Sequence, residues 1–173
     1  MNFINKELES INNGNTIKIL GLEEKVVTLL KIPELDFPVR LKGTVDRIDE
    51  CNGILRVIDY KSGKVLQNQV EVFEWDDILK DYNKYSKSFQ ILSYAYLLNS
   101  KNQLSKPMEG GIISFKNLQG DYVLKFSKKE TSRAKVKNSL ITDETLDHFF
   151  IQLKKLIIEI CNPDIPFTEK NIK

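Results

Sequence analysis

The chemistry available to this chain of 173 residues rests on carboxylates and lysines, because histidine and cysteine are scarce. The sequence has one histidine, His148, and two cysteines, Cys51 and Cys161. A zinc site, a Ser-His-Asp triad or a four-thiolate cluster needs more of these residues. We therefore interpret His148 as a surface or satisfied core residue. The remaining possibility is acid and lysine chemistry assisted by a hard cation.

A β-hairpin positions the acids that matter for this chemistry. Residues 39–49 and 54–61 are rich in strand-forming side chains, and Asn52-Gly53 lies between the two runs. Asn-Gly flanked by such runs is the strongest short-range signal for a hairpin with a two-residue turn. The sequence therefore predicts a register in which Cys51 pairs with Ile54.

In that register two acids face each other. Asp46 lies directly opposite Asp59, and Lys61 shares their face because side chains alternate along a strand. Ile48 and Val57 on the same face are apolar, so the carboxylates are half-buried and repel each other across ~5 Å. A hard divalent cation, typically Mg²⁺ held by carboxylates, waters and phosphate, removes that cost. A plainer interpretation shifts the register by one residue, exposes both acids and lets Lys61 neutralise them.

Other parts of the chain predict the elements that hold this hairpin. In chain order we expect a helix at 3–12, a strand at 16–30, the hairpin, a helix at 89–98, a second hairpin from 111–116 and 121–127, and a helix from Thr142 to about Cys161. Residues 64–88 are polar and predict a mobile excursion with a short helix, in which Trp75 is a lid anchor or a core plug. The order predicts an α/β fold, a mixed β-sheet flanked by helices, in one domain over residues 1–173.

Three motifs in this order resemble the PD-(D/E)XK nuclease superfamily. They are Gly-Thr-Val-Asp-Arg-Ile-Asp at 43–49, Val-Ile-Asp-Tyr-Lys-Ser-Gly at 57–63 and Gln-Ile-Leu-Ser-Tyr at 90–94. More narrowly, the triple resembles the RecB-like nuclease domain of the AddB and RecB helicase–nucleases. The resemblance implies a restriction-endonuclease-like fold and a metal-dependent nuclease.

The resemblance also implies a set of metal ligands. Asp46 and Asp59 would bind Mg²⁺ or Mn²⁺ together with the carbonyl oxygen of Tyr60. The family places a further acid on the strand before the hairpin. Glu23 and Glu24 both fit that place, and Glu23 is preferred.

Three further residues receive roles from the same resemblance. Lys61 is implied as the catalytic lysine, which stabilises charge at phosphorus or helps to position a water. Gln90 and Tyr94, one helical turn apart, would project towards the DNA and the active strand. The alternative for Gln90 and Tyr94 is a polar pair that is satisfied within a buried helix.

The resemblance implies exonuclease-like hydrolysis of DNA in repair and recombination, in complex with an AddA-like helicase subunit. The alternative is a catalytically inactive module that keeps the fold as a DNA-binding or subunit scaffold. A third and weaker possibility is a phosphodiesterase that acts on a small nucleotide. Without an apolar run of membrane length or a signal peptide, we expect a cytoplasmic protein with no membrane partner.

Both ends of the chain depart from the family pattern. No His or Cys precedes Glu23, and the chain stops near the place where iron–sulfur members begin a cysteine cluster. We therefore expect a domain trimmed at both ends from a longer protein. Such a domain is expected to hold its metal poorly or to be inactive alone.

Residues 128–138 form a basic stretch near the end of the chain. Its five basic residues are Lys128, Lys129, Arg133, Lys135 and Lys137. They either grip phosphates or belong to an ordinary solvated loop.

Overall fold

The computed structural model describes residues 2–100, 107–118, 120–130 and 138–168. Within these ranges the chain forms three α-helices and two runs of four strands. In chain order they are α1 (Phe3–Asn12), β1 (Ile17–Leu30), β2 (Val39–Cys51), β3 (Ile54–Lys61), β4 (Glu71–Val72), α2 (Tyr82–Asn99), β5 (Met108–Ser114), β6 (Val123–Lys125), β7 (Ser127–Lys128), β8 (Leu140–Ile141) and α3 (Asp143–Cys161).

The described strands build a mixed sheet of six strands in the order β1-β2-β3-β5-β6, with β8 also paired to β5. Strands β3 and β5 run parallel, and the other pairs in this sheet are antiparallel. Strand β3 is therefore central, with β2 on one side and β5 on the other. This arrangement confirms the predicted mixed sheet flanked by helices, and it places the second motif in the middle of the molecule.

Helices cover both faces of the sheet. Helices α2 and α3 supply a large apolar cluster on one face, where Ile91, Leu92 and Phe149 pack against strand residues such as Val57. A smaller cluster, centred on Ile58 and Ile113, lies on the other face against α1. Because neighbouring residues of β3 point to opposite faces, Val57 and Ile58 join different clusters. Burying each such side chain contributes roughly 1.5–3 kcal/mol.

The first hairpin has the predicted turn and register. Cys51 pairs with Ile54 and Asp49 pairs with Arg56 across β2 and β3. Asn52 and Gly53 have φ angles of 52° and 79°, the left-handed values that an Asn-Gly turn supplies at low cost. The antiparallel pairing of β5 with β6 likewise confirms the second hairpin.

The segment between β3 and α2 differs from the prediction. It contains 3₁₀ turns at Gln67–Val70 and Trp75–Asp77, and its apolar residues Val65, Val70, Val72 and Ile78 are buried in the larger cluster. The expected mobile excursion is therefore wrong, because these side chains pack the segment onto the core. The ring of Trp75 stacks on the ring of exposed His148 with centroids 5.8 Å apart, which fastens the segment to α3.

Helix α2 begins at Tyr82, seven residues before the predicted start at Phe89. The Asp81 side chain accepts a hydrogen bond from the amide of Lys84 at 3.0 Å, which caps the helix. The first two turns are polar, so hydrophobic periodicity did not reveal them. None of the helices in the described part of the chain combines the length and apolar character needed to cross a membrane.

Candidate active site

Strands β2 and β3 separate just where the two acids lie. The last paired residues are Arg47 and Ile58. One step further, the amide of Tyr60 donates to Asp46 Oδ2 at 2.8 Å instead of to the backbone of β2. The backbone ladder thus ends one step before Asp46 and Asp59, so the predicted pairing of these two acids lies just beyond its last hydrogen-bonded residues. The carboxylate of Asp46 connects the two strands at this gap through its hydrogen bond with the Tyr60 amide.

An irregularity in the neighbouring strand accompanies this gap. Glu23, between the residues of β1 that pair with Val45 and Arg47, has a φ of 51°. Val45 packs in the larger apolar cluster, whereas Arg47 contacts α1 on the other face of the sheet. Val45 and Arg47 are two residues apart but point to opposite faces of the sheet. The regular alternation of side chains along β2 is therefore interrupted at Asp46. Distortions of this kind are common next to active sites, because they re-aim a side chain.

Lys61 connects β3 to α2. Its ammonium lies 2.6 Å from Asp59 Oδ2 and donates to Gln90 Oε1 at 2.9 Å. The other end of the Gln90 amide donates to the hydroxyl of Tyr94 at 2.8 Å. Asp59, Lys61, Gln90 and Tyr94 therefore form one connected chain, which we call the lysine relay. Gln90 and Tyr94 bond to each other, as expected of a polar pair within the helix, and Gln90 also reaches the active strand.

Gly43, the first residue of the first motif, allows α2 to approach β2 closely. A Cβ atom at this position would lie 3.1 Å from Tyr94 Cε1 and 3.3 Å from a methyl of Leu97. A larger residue would push α2 away from the sheet. Because Tyr94 and Gln90 lie on α2, the glycine helps to set the distance between Gln90 and Lys61.

Asp59 is almost completely buried, with an exposed fraction of 2%. Burial raises its pKa above the ordinary value, the contact with Lys61 opposes that rise, and the charge of Asp46 adds to it. The negative charge of Asp59 is therefore only partly compensated by the protein. A second cation near Asp59 and Asp46 would lower the free energy of the charged form.

The raised pKa of Asp59 predicts a pH-dependent cost in stability for the protein in EDTA. A carboxyl whose pKa is higher folded than unfolded favours folding below the unfolded value and loses that contribution as the pH rises through the folded value. We therefore expect Asp59→Asn to melt a few degrees above the wild type at pH 7. The difference between the two melting temperatures should narrow towards about pH 4. Thermal melts of both proteins and of the exposed control Asp36→Asn measure it. A difference in melting temperature that does not change with pH would contradict a raised pKa for Asp59.

The donor set at this gap suits a hard divalent cation. Asp46 Oδ1 and Asp59 Oδ1 accept no hydrogen bond from the residues that the structure describes, whereas their Oδ2 atoms contact Tyr60 and Lys61. Magnesium is commonly held by one or two carboxylates, with water and substrate phosphate as the other ligands. Two carboxylates with free oxygens fit that pattern.

A third acid is not gathered at the gap. Within the described ranges, no group of three or more His, Cys, Asp or Glu side chains lies close enough together to hold a metal ion. Glu23 and Glu24 are both exposed on β1. The Glu24 side chain folds back over Gly21, where an added Cβ would lie 2.6 Å from Glu24 Cγ. Two acids therefore make up the carboxylate set that the structure brings together.

A buried charged network lies on the opposite face of the hairpin. Asp49, with an exposed fraction of 0%, accepts from Arg56 at 2.7 and 2.8 Å and from Arg47 at 2.6 Å. Arg47 also contacts Glu7 of α1 at 3.1 Å and the hydroxyl of Tyr60 at 3.3 Å. Burial opposes the charge of Arg47, but these contacts together raise its pKa. The network joins α1 to β2 and β3 directly behind the acids.

The two described lysines of the basic stretch are engaged within the protein. Lys129 lies 2.6 Å from Glu71, and the ammonium of Lys128 donates to the carbonyls of Phe73 and Lys129 at 2.8 Å. These contacts hold the end of β7 against the 64–80 segment. They do not favour a role for Lys128 or Lys129 in gripping phosphates. Arg133, Lys135 and Lys137 lie outside the described residues.

Comparison with protein families gives one decisive observation. The model of the PD-(D/E)XK nuclease superfamily matches residues 3–171. The chain belongs to the PD-(D/E)XK nuclease superfamily. A search of curated proteins gives no match. Membership implies nuclease activity, and PD-(D/E)XK nucleases generally use divalent metal ions. Asp59-Tyr60-Lys61, at the end of the central strand, has the acid-X-Lys spacing of the superfamily name.

Proposed function

We propose that this PD-(D/E)XK protein is a metal-dependent deoxyribonuclease that hydrolyses phosphodiester bonds at the gap between β2 and β3. The observation that carries the proposal is the geometry of Asp59, which is buried at 2% exposure and 2.6 Å from Lys61 beside a second acid. Burying the charged Asp59 beside a second, half-buried acid is costly for a structural hairpin. It is useful where negative charge must be stabilised during a reaction.

Asp46 and Asp59 are the proposed ligands of Mg²⁺ or Mn²⁺, with the carbonyl oxygen of Tyr60 as a further oxygen donor. When bound, the cation supplies Lewis-acid stabilisation for charge on the phosphate oxygens. The hydrogen bond from the Tyr60 amide fixes the orientation of Asp46. The ion pair with Lys61 fixes that of Asp59. Both acids are therefore held in place before the cation arrives.

Lys61 is the proposed catalytic lysine. An ammonium group has three N–H donors, and Asp59 and Gln90 use two of them. The third is available to a non-bridging phosphate oxygen or to the attacking water. Lys61 is 30% exposed, so solvent and substrate reach it. Its positive charge would stabilise the charge that develops at phosphorus during in-line attack.

Gln90 and Tyr94 are proposed as positioning residues that also contact DNA. Gln90 holds the Lys61 ammonium through its carbonyl oxygen, and Tyr94 holds the Gln90 amide in the orientation that this requires. Reversing the amide would place an N–H group against the ammonium. The lysine relay thus fixes where the catalytic charge lies.

Residues of β1 and β2 form a cationic face. Lys25 pairs with Thr44 across β1 and β2, and Lys42 and Arg40 follow at alternate positions on the same face. These side chains line a depression of about 540 Å³, and no acidic residue lies within 25–30 or 39–44. Thr44 is two residues from Asp46 along β2, but Val45 packs under α2, so this cationic face lies on the other side of the sheet from Asp59 and Lys61.

The finer features of the proposal rest on the three motifs. They favour a RecB-like nuclease with exonuclease-like action on DNA in repair and recombination. An AddA-like helicase subunit would be the partner, and Mg²⁺ the cation used in the cell. Glu23 remains the preferred further acid, to be brought to the gap by cation or substrate binding.

The test of the proposed function is cleavage of DNA by the chain as it stands. We expect linear DNA to be degraded in Mg²⁺ or Mn²⁺ and to remain intact in EDTA, because the two acids need a cation between them. End-labelled DNA on denaturing gels measures the rate, and covalently closed circular DNA tests whether an end is required. Absence of cleavage with every divalent ion would favour the inactive scaffold instead.

A further inference from the structure

A cleft next to Lys61 has walls of a different chemistry from the gap that holds the acids. Its volume is about 620 Å³, within the range of small-molecule sites. It lies between the end of β3, residues 78–79, the first half of α2 and α3. Its lining residues are Lys61, Ile78, Leu79, Tyr82, Ser86, Lys87, Phe89, Gln90 and Leu156. Of this set, only Lys61 and Gln90 belong to the sequence motifs.

The walls of the cleft suit a flat apolar ring rather than a phosphate. Ile78, Leu79, Phe89 and Leu156 are apolar, and the charges among the lining residues come from Lys61 and Lys87. Among the residues that the structure describes, no acid lines the cleft, so its lining does not suit a metal ion. Sites for a nucleobase attached to a phosphate backbone usually combine apolar walls, which contact the base, with nearby cationic side chains, which contact the phosphate.

Tyr82 is the more exposed of the two aromatic residues that line the cleft. Its side chain is 71% exposed, and it makes no hydrogen bond or ring contact with the residues that the structure describes. Phe89, by contrast, packs edge-on against Phe149 with ring centroids 5.2 Å apart. An exposed aromatic ring at the mouth of an apolar cleft is a platform on which a base can stack.

We propose that this cleft takes one unpaired nucleobase of the substrate strand, next to the phosphate held at Lys61, with Tyr82 stacking on the base. The inference rests on the proposed function and adds a substrate preference to it. A base in a duplex is already stacked and paired, so it must leave the helix to enter the cleft. The nuclease therefore prefers single strands and frayed ends over internal duplex.

The experiment separates base binding from cleavage. Affinity is measured by fluorescence anisotropy in Mg²⁺ with Asp59→Asn, which keeps the substrate intact. The probes are a labelled single-stranded oligonucleotide and an abasic phosphodiester strand of the same length. Tyr82→Ala and Tyr82→Phe are then added to Asp59→Asn, with Phe37→Ala as the control because Phe37 is a 52% exposed aromatic that lies outside the cleft.

We expect Tyr82→Ala to weaken binding of the normal strand about tenfold and to leave the abasic strand unaffected. Tyr82→Phe keeps the ring and recovers the loss, and Phe37→Ala binds both strands like the parent. Equal binding of normal and abasic strands by the parent protein would overturn the inference without any variant at position 82. An equal loss on both strands with Tyr82→Ala would overturn it as well.

Cleavage assays on active protein distinguish the two proposals from each other. Faster cleavage of single-stranded than duplex DNA, reduced by Tyr82→Ala, supports the cleft. Cleavage that is equal on both substrates and unaffected by Tyr82→Ala overturns the cleft and leaves the nuclease proposal in place. No cleavage together with base-dependent binding overturns the nuclease proposal and leaves a nucleic-acid-binding cleft.

Discussion

Asp59→Asn is expected to cleave linear DNA at less than about a thousandth of the wild-type rate. The substitution keeps the shape of the side chain but removes the charge needed between Lys61 and the cation. Asp46 is then the one acid left at the gap, because no third acid is gathered there in the described part of the chain. Rates of release of end-labelled fragments in Mg²⁺ and Mn²⁺ measure the loss.

The stability of the same variant makes this result informative. Because burial raises the pKa of Asp59, Asp59→Asn should be as stable as the wild type or more so near neutral pH. A loss of activity in a stabilised protein cannot be attributed to unfolding. Asp36→Asn, an exposed acid in the β1–β2 connection, is the matched control and should cleave normally. Retention of a tenth or more of the activity by Asp59→Asn would refute the assignment.

Lys61→Met is the second change with a large expected effect. Methionine keeps the length of the side chain but removes the ammonium that Asp59 and Gln90 hold. We expect kcat to fall about 10²–10³-fold, because the charge at phosphorus loses its nearest side-chain cation. KM for DNA should change much less, since that charge develops only in the transition state. Steady-state cleavage of a defined oligonucleotide separates the two parameters.

Two companion variants show whether the position of the charge matters. Gln90→Ala removes one of the two contacts that hold the ammonium, so its kcat should lie between those of wild type and Lys61→Met. Lys80→Met removes an exposed lysine that pairs with Asp77, and it should cleave like wild type. If Lys61→Met and Lys80→Met have the same kcat, Lys61 has no catalytic role.

Local signals were sufficient to predict much of this fold. The Asn52-Gly53 turn defines the register of the hairpin, and the period-2 pattern identifies β2 and β3. The predicted helix start at Thr142 is confirmed, since its side chain caps α3 by accepting from the amide of Thr145 at 3.3 Å. Each of these signals lies within a few residues of the feature that it predicts.

The features that sequence reasoning missed depend on contacts between distant parts of the chain. The gap at Asp46 accompanies a distortion in β1, some twenty residues away, and pairing rules for a regular hairpin cannot reveal it. The burial of Arg47 and Asp49 depends on Glu7 of α1. The sequence did carry a hint of this network, since Arg47 and Asp49 are charged residues next to the apolar Ile48 within a single strand.

Residue types were enough to select the candidate site, but they did not give the geometry of its contacts. Lys61 and Asp59 were placed on one face, and the structure joins them at 2.6 Å. The bond from Gln90 to Lys61 required the packing of α2 across the sheet, which Gly43 permits. The apolar cleft beside Lys61 needed the folded positions of three separate segments, so no single stretch of sequence indicates it.

The most direct test of the account is a thermal melt of the protein in increasing Mn²⁺, with wild type and Asp59→Asn compared. A cation that binds the native state between Asp46 and Asp59 must stabilise it by about 2.7 kcal/mol at a hundred times its Kd, or roughly 5–10 °C. We predict such a rise in the melting temperature of the wild type and none in Asp59→Asn. Identical melting curves for both proteins at every Mn²⁺ concentration would contradict the central claim that these acids form a cation site.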